Sequence, residues 1–597
     1  MIYDLTPEER QKYVTSRGKT IVTACPGSGK TTSIVYKLKQ VCQEIESQNK
    51  HMGVLCLSFT NKAVDEIRGA YKNMHGTDLR YPHEVSTIDS FITQNIVMPY
   101  WYLCKFCKVS PIIVNESDVL HDLLWFHYKD KSGKLQEACR IGNYGKTPRY
   151  IAPEKVNIHA GKFYYETNEL DAQYTQYAKD IVSFRLSKGY LTSSDAMFVA
   201  LDVLSNYPQI AESLIIRYPY IVVDEAQDTS DDQFSLFSKL IEVGLKNLEF
   251  VGDVNQSIYE WRFANPARLE TLCSKEGWQH IPFNNNRRSV QNIIDLYSKL
   301  VPLPKRLPIV STRVDDKALP VVVYRYDNRN SQDILKDFGR ICRENNLNER
   351  LVLTRGRNLG KLLSGAKEKP DYWKSPIPRM IINAYVDFKS GFISKAVQQI
   401  AYVWSMLLFS ENDYDGKRNF IREKVESPVE STYLINMFFE MPNLNETFFT
   451  WTAKMRLFIK DKFGLKELPN FDVYKYKKAF DIKQMANKSL SLYFGTDATE
   501  QKSGQIVQTI HSSKGASTDA ALIFLSSDNR GGNISMNLFV NTTIMSEKHR
   551  MLYVACSRAR QFLGLAVPMD FPEKQIKMIL NDVKYEIRTP VFKEGLF

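Results

Sequence analysis

The fold of this chain is decided by the stretch Thr23-Ala24-Cys25-Pro26-Gly27-Ser28-Gly29-Lys30-Thr31-Thr32. The apolar pair Ile21-Val22 precedes it, and an apolar helical pattern begins at Ile34. This order predicts a strand, a glycine-rich loop and a helix, whose backbone N–H groups and N-terminus favour a bound phosphate. The pattern A-x-x-x-x-G-K-T thus indicates a nucleotide site, although a glycine-rich turn that happens to hold a lysine also fits so short a motif.

The predicted nucleotide site assigns a role to each polar group of the loop. Lys30 is expected to reach the β- and γ-phosphates, and the Thr31 hydroxyl is expected to hold Mg²⁺. Gln11, upstream on a predicted helix, is a candidate for binding the adenine edge, and a solvated glutamine explains it equally well. The loop residues expected to contact the nucleotide are Ala24, Gly27, Ser28, Gly29, Lys30, Thr31 and Thr32.

Composition restricts the class of protein. With 597 residues the chain has room for several domains, and its 43% hydrophobic and 24% charged residues are typical of a globular protein. The formal charge of +12 and the pI near 9.0 favour a polyanionic partner, above all nucleic acid. The amino terminus has no apolar signal segment, and the apolar stretch 401–409 is too short to span a bilayer, so no membrane partner is expected.

The cysteines allow two interpretations. Nine scattered cysteines without an export signal predict reduced thiols and a cytoplasmic location. Cys104 and Cys107 have the spacing of metal ligands, and Cys139 with His121 or His127 could complete a site. Buried, inert cysteines are the alternative, favoured because the sequence has no second C-x-x-C.

Three further strand ends carry polar or aromatic residues. The predicted strand from Val54 ends at Phe59, and Phe59, Thr60 and Asn61 follow as candidate nucleic-acid contacts, since ligands of an α/β sheet bind beyond its strand ends. The apolar run 220–223 ends in Asp224 and Glu225. Asp224 is expected to bind Mg²⁺, and Glu225 to take the proton of the water that attacks the γ-phosphate.

A third strand, 248–253, leads into a segment with two aromatic residues. Gln256 is placed to sense the γ-phosphate. Tyr259 and Trp261, beside Arg262, are candidates for stacking on unpaired bases. Both rings could instead belong to the apolar core.

These motifs, in this order, resemble those of superfamily 1A DNA helicases, and the UvrD/Rep/PcrA group is the nearest. The resemblance extends to the second half of the chain, where Asn286-Arg287-Arg288-Ser289 resembles the family's Asn-Tyr-Arg-Ser. It implies that Arg288 contacts the γ-phosphate and that Arg287 replaces a tyrosine that stacks on adenine. It also implies that His511 contacts DNA and that Arg558 is an arginine finger. Ser517 stands where many relatives have a ribose-binding glutamate.

The resemblance implies an α/β fold with two RecA-like P-loop NTPase domains, each with a mostly helical insertion. The predicted division is 1–95 and 206–285 for domain 1A, 96–205 for the helical insertion 1B, 286–365 and 501–597 for domain 2A, and 366–500 for a reduced insertion 2B. No extended carboxyl-terminal tail and no appended nuclease domain are expected. The basic and aromatic stretch 471–480 could touch DNA or form a solvated surface.

The function implied is an ATP- and Mg²⁺-dependent translocase or helicase that moves along single-stranded or partly duplex DNA in the 3′-to-5′ direction. The alternative is a nucleotide-gated DNA-sensing ATPase with little unwinding activity. The layout also resembles compact UvrD-like proteins that accompany nuclease subunits in anti-phage systems such as Gabija, so the alternative carries a nuclease subunit as a partner.

Overall fold

The structure is a computed structural model. The structure describes residues 8–49, 51–114, 124, 127–129, 135–137, 140–144, 147–150, 153–313, 318–327, 330–356, 359–360, 363, 373–410, 413–473, 489–491, 506–540 and 543–590.

The strands, in chain order, are β1 (Lys19–Ala24), β2 (Val54–Ser58), β3 (Glu84–Thr87), β4 (Ile112–Ile113), β5 (His127–Lys129), β6 (Leu135–Glu137), β7 (Arg140–Tyr144), β8 (Thr147–Tyr150), β9 (Val156–His159), β10 (Lys162–Tyr165), β11 (Asn168–Glu169), β12 (Tyr190–Leu191), β13 (Tyr220–Asp224), β14 (Asn247–Gly252), β15 (Gln279–Phe283), β16 (Asn285–Asn286), β17 (Val310–Ser311), β18 (Val321–Tyr326), β19 (Arg350–Thr354), β20 (Ile506–Thr509), β21 (Thr518–Phe524), β22 (Ala559–Pro568) and β23 (Tyr585–Arg588).

The α-helices are α1 (Glu8–Thr15), α2 (Lys30–Gln48), α3 (Asn61–His75), α4 (Ile88–Ile92), α5 (Met98–Tyr100), α6 (Ala172–Lys188), α7 (Ser193–Asn206), α8 (Pro208–Arg217), α9 (Asp231–Glu242), α10 (Pro266–Cys273), α11 (Gln291–Ser298), α12 (Ser331–Glu344), α13 (Ile377–Lys389), α14 (Ile393–Leu408), α15 (Tyr414–Glu426), α16 (Pro428–Glu440), α17 (Phe448–Lys462), α18 (Glu547–Cys556) and α19 (Glu573–Ile579).

The first large sheet is fully parallel and has the strand order β15-β1-β14-β13-β2-β3. Its central strands, β13 and β14, are buried and mostly apolar, as expected of a parallel sheet with both faces covered, and the buried Glu249 of β14 forms an ion pair with Lys37 of α2. Helix α2 packs on it through Ile34, Val35 and Leu38, which are buried on one stripe of the helix. Since all strands run the same way, the residues that follow β1, β2, β13 and β14 meet at one edge.

The second large sheet is also parallel and has the order β20-β19-β21-β22-β18-β23. Its two innermost strands, β21 and β22, begin side by side, with Thr518 opposite Ala559. The residues just before these two strands, Ser517 and Arg558, are therefore neighbours at the amino-terminal edge. Two parallel sheets of this kind confirm the α/β prediction of two RecA-like domains.

The chain divides into two compact units. The first contains residues 1–104, 197–366 and 501–597, and thus both large sheets. The second contains residues 105–196 and 367–500, the bulk of the two predicted insertions. Within the second unit, helices α13 to α17 surround an apolar cluster that includes Trp373 and Trp451.

The prediction that 96–205 is mostly helical is wrong for 127–169. That part contains the antiparallel pairs β5–β6 and β7–β8 and the three-stranded sheet β9-β10-β11, and helices return only at α6 and α7. The physical reason is local. Ala160 and Gly161 both have positive φ, 48° and 74°, which closes the two-residue turn between β9 and β10 and folds the chain as a hairpin.

Two sequence predictions fall largely outside the described residues. Cys104 and Cys107 are buried; of the other candidate ligands, Cys139 and His121 lie outside the described residues, and His127 is described only as the first residue of β5. In the described part of the chain, no cluster of three or more His, Cys, Asp or Glu side chains has the arrangement of a metal site. Residues 474–480 of the basic and aromatic stretch also lie outside the described ranges. No helix among the described residues combines the length and the apolar character needed to cross a membrane.

Candidate nucleotide site and nucleic-acid interface

The glycine-rich loop folds as a tight turn between β1 and α2. The Cys25 N–H donates to the Phe283 carbonyl at 2.9 Å, which fixes the start of the loop to the neighbouring strand β15. Gly27 and Gly29 have φ values of 68° and 84°, a region that side chains disfavour. A Cβ on Gly27 would also collide with the side chain of Arg288, so the loop requires glycine there.

The loop forms one wall of a pocket of about 290 Å³. The pocket lies between the carboxyl edge of the first sheet and the residues that precede β21 and β22 in the second. The predicted residues that line it are Gly27, Ser28, Gly29, Lys30, Thr31, Thr32, Glu225, Gln256, Arg287, Arg288 and Arg558.

The structure does not bring Gln11 or Ala24 into the lining of this pocket. Gln11 lies on the exposed side of α1. One position earlier, Arg10 is buried and donates from Nη2 to the Ser28 carbonyl at 3.1 Å. Helix α1 thus turns Arg10, not Gln11, toward the loop. Ala24 is the last residue of β1 and is buried below the loop.

The two adjacent carboxylates of β13 have different environments. Asp224 ends the strand and is buried, and burial together with the neighbouring charge of Glu225 raises its pKa to about 7. Glu225 has a left-handed backbone, φ 53°, which aims it into the pocket. Burial acts to raise the pKa of Glu225, but Lys30 and Lys514 outweigh it and the pKa is lowered. Glu225 also accepts a short hydrogen bond from Gln227 Nε2.

Two arginines reach the pocket from the side of the second sheet. Arg558 is buried and donates from Nη2 to Gln256 Oε1 at 2.9 Å and from Nη1 to the Ala516 carbonyl at 3.1 Å. Arg288 donates from Nη1 to the Ser557 carbonyl at 3.2 Å. Burial, with the like charge of Arg288 beside it, lowers the pKa of Arg558 to about 9. A bound polyphosphate would supply the negative charge that this cationic wall lacks.

Lys514 connects this wall to the first sheet. Its ammonium forms a buried ion pair with Asp228 and donates to the Gln256 carbonyl at 3.0 Å. Gln256 in turn donates from Nε2 to Asp253 Oδ2 at 2.8 Å. Burial raises the pKa of Asp228 to about 6, against the opposing charge of Lys514. Gln256 is therefore held at once by Asp253, Lys514 and Arg558.

The predicted DNA-contact residues form an aromatic cluster next to Lys514. The ring centroids of Phe59 and Tyr259 are 4.8 Å apart, those of Tyr259 and Trp261 are 6.1 Å apart, and His511 lies 6.4 Å from Tyr259. The Lys514 ammonium lies 4.7 Å from the Tyr259 ring centre. Trp261 is 45% exposed, which fits the interpretation that it stacks on bases. Tyr259 is half-buried against the core, which fits the interpretation that its ring is part of the core.

The start of α3 lies beside this cluster. Thr60 caps the helix by accepting a hydrogen bond from the Ala63 N–H at 3.2 Å, and Asn61 is exposed. The guanidinium of Arg262 lies 5.6 Å from the Phe59 ring centre and 4.9 Å from that of Trp261. Aromatic faces, an arginine and an exposed amide are the groups that bind a single strand without reading its sequence.

The residues present fit a magnesium ion. Asp224 Oδ1 is buried and has no hydrogen-bond partner among the described residues, while Thr31 lines the pocket. Mg²⁺ is usually held by one or two protein oxygens together with phosphate and water, and these two side chains offer that donor set.

Four pocket residues were not predicted as site residues. Glu66 comes from α3, Gly515 and Ser517 from the segment just before β21, and Arg560 from β22. Arg560 donates from Nε to Ser517 Oγ at 3.1 Å and from Nη1 to Glu349 Oε2 at 2.7 Å. Glu66 and Arg560 stand in no glycine-rich or strand-end pattern, so the sequence alone carried little signal for them, whereas Ser517 stands at the position where the resemblance places a ribose-binding glutamate.

Fold and site together define a P-loop NTPase whose nucleotide pocket lies between two RecA-like sheets. Residues 5–275 match the family model of the UvrD/REP helicase N-terminal domain. The chain is 20% identical to a probable DNA helicase II homologue of Mycoplasma genitalium, over 95% of this chain and 86% of that protein. The chain is therefore similar to helicases of the UvrD/REP type, over residues 5–275 in the family model and over most of its length in the Mycoplasma relative.

Two further relatives are ATP-dependent DNA helicases PcrA. The protein of Bacillus subtilis is 24% identical over 55% of this chain and 43% of its own length. That of Leuconostoc citreum is 27% identical over 49% of this chain and 38% of its own length. The match thus spans about two-fifths of the length of the PcrA relatives.

Proposed function

We propose that this protein is an ATP-dependent DNA translocase and helicase that moves along single-stranded DNA in the 3′-to-5′ direction. The observation that carries the proposal is a continuous chain of contacts. Arg558 and Lys514 both bind Gln256, and the Lys514 ammonium lies over the Tyr259 ring. Gln256, through its side chain and its main-chain carbonyl, and Lys514 therefore connect the nucleotide pocket to the aromatic cluster.

In this proposal the pocket residues divide the chemistry of hydrolysis. Lys30 and the loop N–H groups bind the β- and γ-phosphates. Glu225 accepts a proton from the water that attacks the γ-phosphorus, the bond to the β–γ bridging oxygen breaks, and ADP and phosphate result. Arg288 and Arg558 stabilise the charge of the transferred group. Mg²⁺, held by Thr31 and Asp224, would neutralise charge on the phosphate oxygens.

Movement follows from the two sheets sharing the nucleotide. Arg288 and Arg558 draw the second sheet onto the γ-phosphate, and its loss releases them. Phe59, Thr60, Asn61, Tyr259 and Trp261 hold the strand from the first sheet. His511 holds the strand from the second sheet. Each cycle of closing and opening therefore shifts the strand between the residues of the first sheet and His511.

Replacement of Trp261 by alanine is expected to weaken binding of an oligo-dT strand by about 1–3 kcal/mol, because one exposed base-stacking surface is lost. The measurement is fluorescence anisotropy of labelled oligo-dT at fixed salt, since phosphate contacts make the affinity salt-dependent. Tyr259→Ala should act in the same direction, with a melting curve to separate lost stacking from lost core packing.

The matched control for Trp261 is Tyr102→Ala, which removes an aromatic side chain of the first unit that is 62% exposed and lies outside the cluster. Unchanged affinity of the Trp261→Ala variant would remove the cluster from the strand path.

A strand-displacement assay tests the proposal as a whole. The chain should unwind a duplex with a 3′ single-stranded tail in the presence of ATP and Mg²⁺, and a duplex with only a 5′ tail should persist. ATP hydrolysis stimulated by DNA without displacement of either substrate would instead support the DNA-sensing ATPase. A test in the presence of a candidate nuclease subunit would then be the next step.

A further inference from the structure

Glu66 is a carboxylate in the wall of the nucleotide pocket that the mechanism above does not use. It lies in the second turn of α3, the helix capped by Thr60. The Glu66 carboxylate takes part in no ion pair or hydrogen bond among the residues that the structure describes. Glu66 is exposed at the pocket, so its charge is accessible to a bound ligand.

Helix α3 meets the second sheet at this residue. Gly515 has φ 80°, and a Cβ there would lie 3.3 Å from Glu66 Oε1 and 3.7 Å from Oε2. One turn earlier on the helix, Lys62 donates from Nζ to the Lys514 carbonyl at 3.3 Å. The start of α3 thus contacts the turn 514–515, which also holds the ammonium over Tyr259. Glu66 therefore lies close to the nucleotide pocket, to the second sheet and to the residues at the start of α3 that are predicted to contact DNA.

The charges around Glu66 are those of the γ-phosphate end of the pocket. Partial burial raises the pKa of Glu66 and Glu225 adds to the rise, whereas Lys62, Arg288 and Arg558 oppose it. A negative charge in this position attracts the arginines that would bind the γ-phosphate, and it repels the phosphate itself. Glu66, Arg288 and Arg558 line the same pocket, so the carboxylate and a bound γ-phosphate would act on the same two arginines.

We propose that Glu66 is the positioning residue through which strand binding changes the affinity for nucleotide. Without a strand, its carboxylate competes with the γ-phosphate for Arg288 and Arg558. A strand held at Thr60 and Asn61 displaces the start of α3 and withdraws the carboxylate, so nucleotide binds more tightly. This inference rests on the proposed function, because it requires the strand to bind at the start of α3.

The test is equilibrium binding of a fluorescent, non-hydrolysable ATP analogue with Mg²⁺, with and without saturating oligo-dT. For the wild type, oligo-dT should lower the Kd of the analogue by about tenfold, within the usual range of such couplings. For Glu66→Gln, the Kd without oligo-dT should already be lowered by about the same factor, and oligo-dT should add little. Since coupling is reciprocal, the analogue should likewise cease to tighten oligo-dT binding by this variant.

The matched control is Asp65→Asn, which removes a carboxylate from the adjacent position of α3, exposed like Glu66 but outside the pocket. It should keep the wild-type coupling. Two results for Glu66→Gln would overturn the inference and leave the proposed function standing. The variant could bind the analogue more weakly than the wild type, as a damaged pocket would, or it could keep the full effect of oligo-dT. A wild type that binds the analogue but no DNA refutes the proposed function, and the inference falls with it.

Discussion

Replacement of Arg558 by alanine is expected to lower the rate of ATP hydrolysis by about 10³- to 10⁵-fold, the range of an arginine finger. The guanidinium is buried, donates to Gln256 and Ala516, and has no carboxylate among its hydrogen-bond partners in the described structure. It is thus available for a phosphoryl group whose charge rises in the transition state. Steady-state phosphate release with saturating oligo-dT measures the effect.

The control for Arg558 is Arg530→Ala, which removes a guanidinium from the same unit whose side chain is 91% exposed. This variant should hydrolyse ATP like the wild type. A loss of less than tenfold in Arg558→Ala, with the protein folded as judged by its melting curve, would contradict the assignment. Arg558→Lys should remain strongly impaired, because lysine cannot donate to Gln256 and a phosphate in the same forked geometry.

Replacement of Glu225 by glutamine should lower turnover by about 10²- to 10⁴-fold, the usual contribution of general-base catalysis. The lowered pKa of Glu225 keeps it ionised near neutral pH, so the wild-type group can accept a proton. Glutamine has nearly the same shape but cannot accept that proton. ATP binding should be retained, and isothermal titration with a non-hydrolysable analogue measures it separately from turnover.

The control for Glu225 is Glu242→Gln, at the exposed end of α9, which should leave both measurements unchanged. Retained hydrolysis in Glu225→Gln would refute its role as the base. Asp224 would then be the remaining carboxylate at this end of β13, although it is buried and does not line the pocket.

The sequence predicted the sheets and most of the pocket because their signals are local. A buried strand that ends in Asp224 and Glu225, or a loop that ends in Gly29 and Lys30, contains both its secondary structure and its polar group in a few residues. Parallel strands then bring these ends to one edge without further information. The same reasoning located Gln256, which follows β14.

Residues that enter the pocket from helix or strand interiors gave no such signal. Glu66 lines the pocket, while Lys62, four residues earlier on α3, does not, and together they form the pattern of a solvated helix surface. Their contacts are with Gly515 and Lys514, which are more than 400 residues away in the chain. Gln11 was mispredicted because adjacent residues of a helix point in different directions. Arg10, one position earlier on α1, contacts the loop, and Gln11 is exposed.

The strands between 127 and 169 were missed for a different reason. They are two to five residues long, too short for the alternation of apolar and polar residues to stand out. The turn at Ala160 and Gly161 has positive φ at both positions. Its first residue is alanine and not the asparagine, aspartate or glycine that usually marks such a hairpin in a sequence.

The central claim is that hydrolysis in the pocket responds to a strand on the aromatic cluster, and phosphate release tests it most directly. With saturating ATP and Mg²⁺, the rate should rise several-fold when oligo-dT is added, and Trp261→Ala should require a higher oligo-dT concentration to reach the same rate. A wild-type protein that releases phosphate at the same rate with and without oligo-dT would contradict the account.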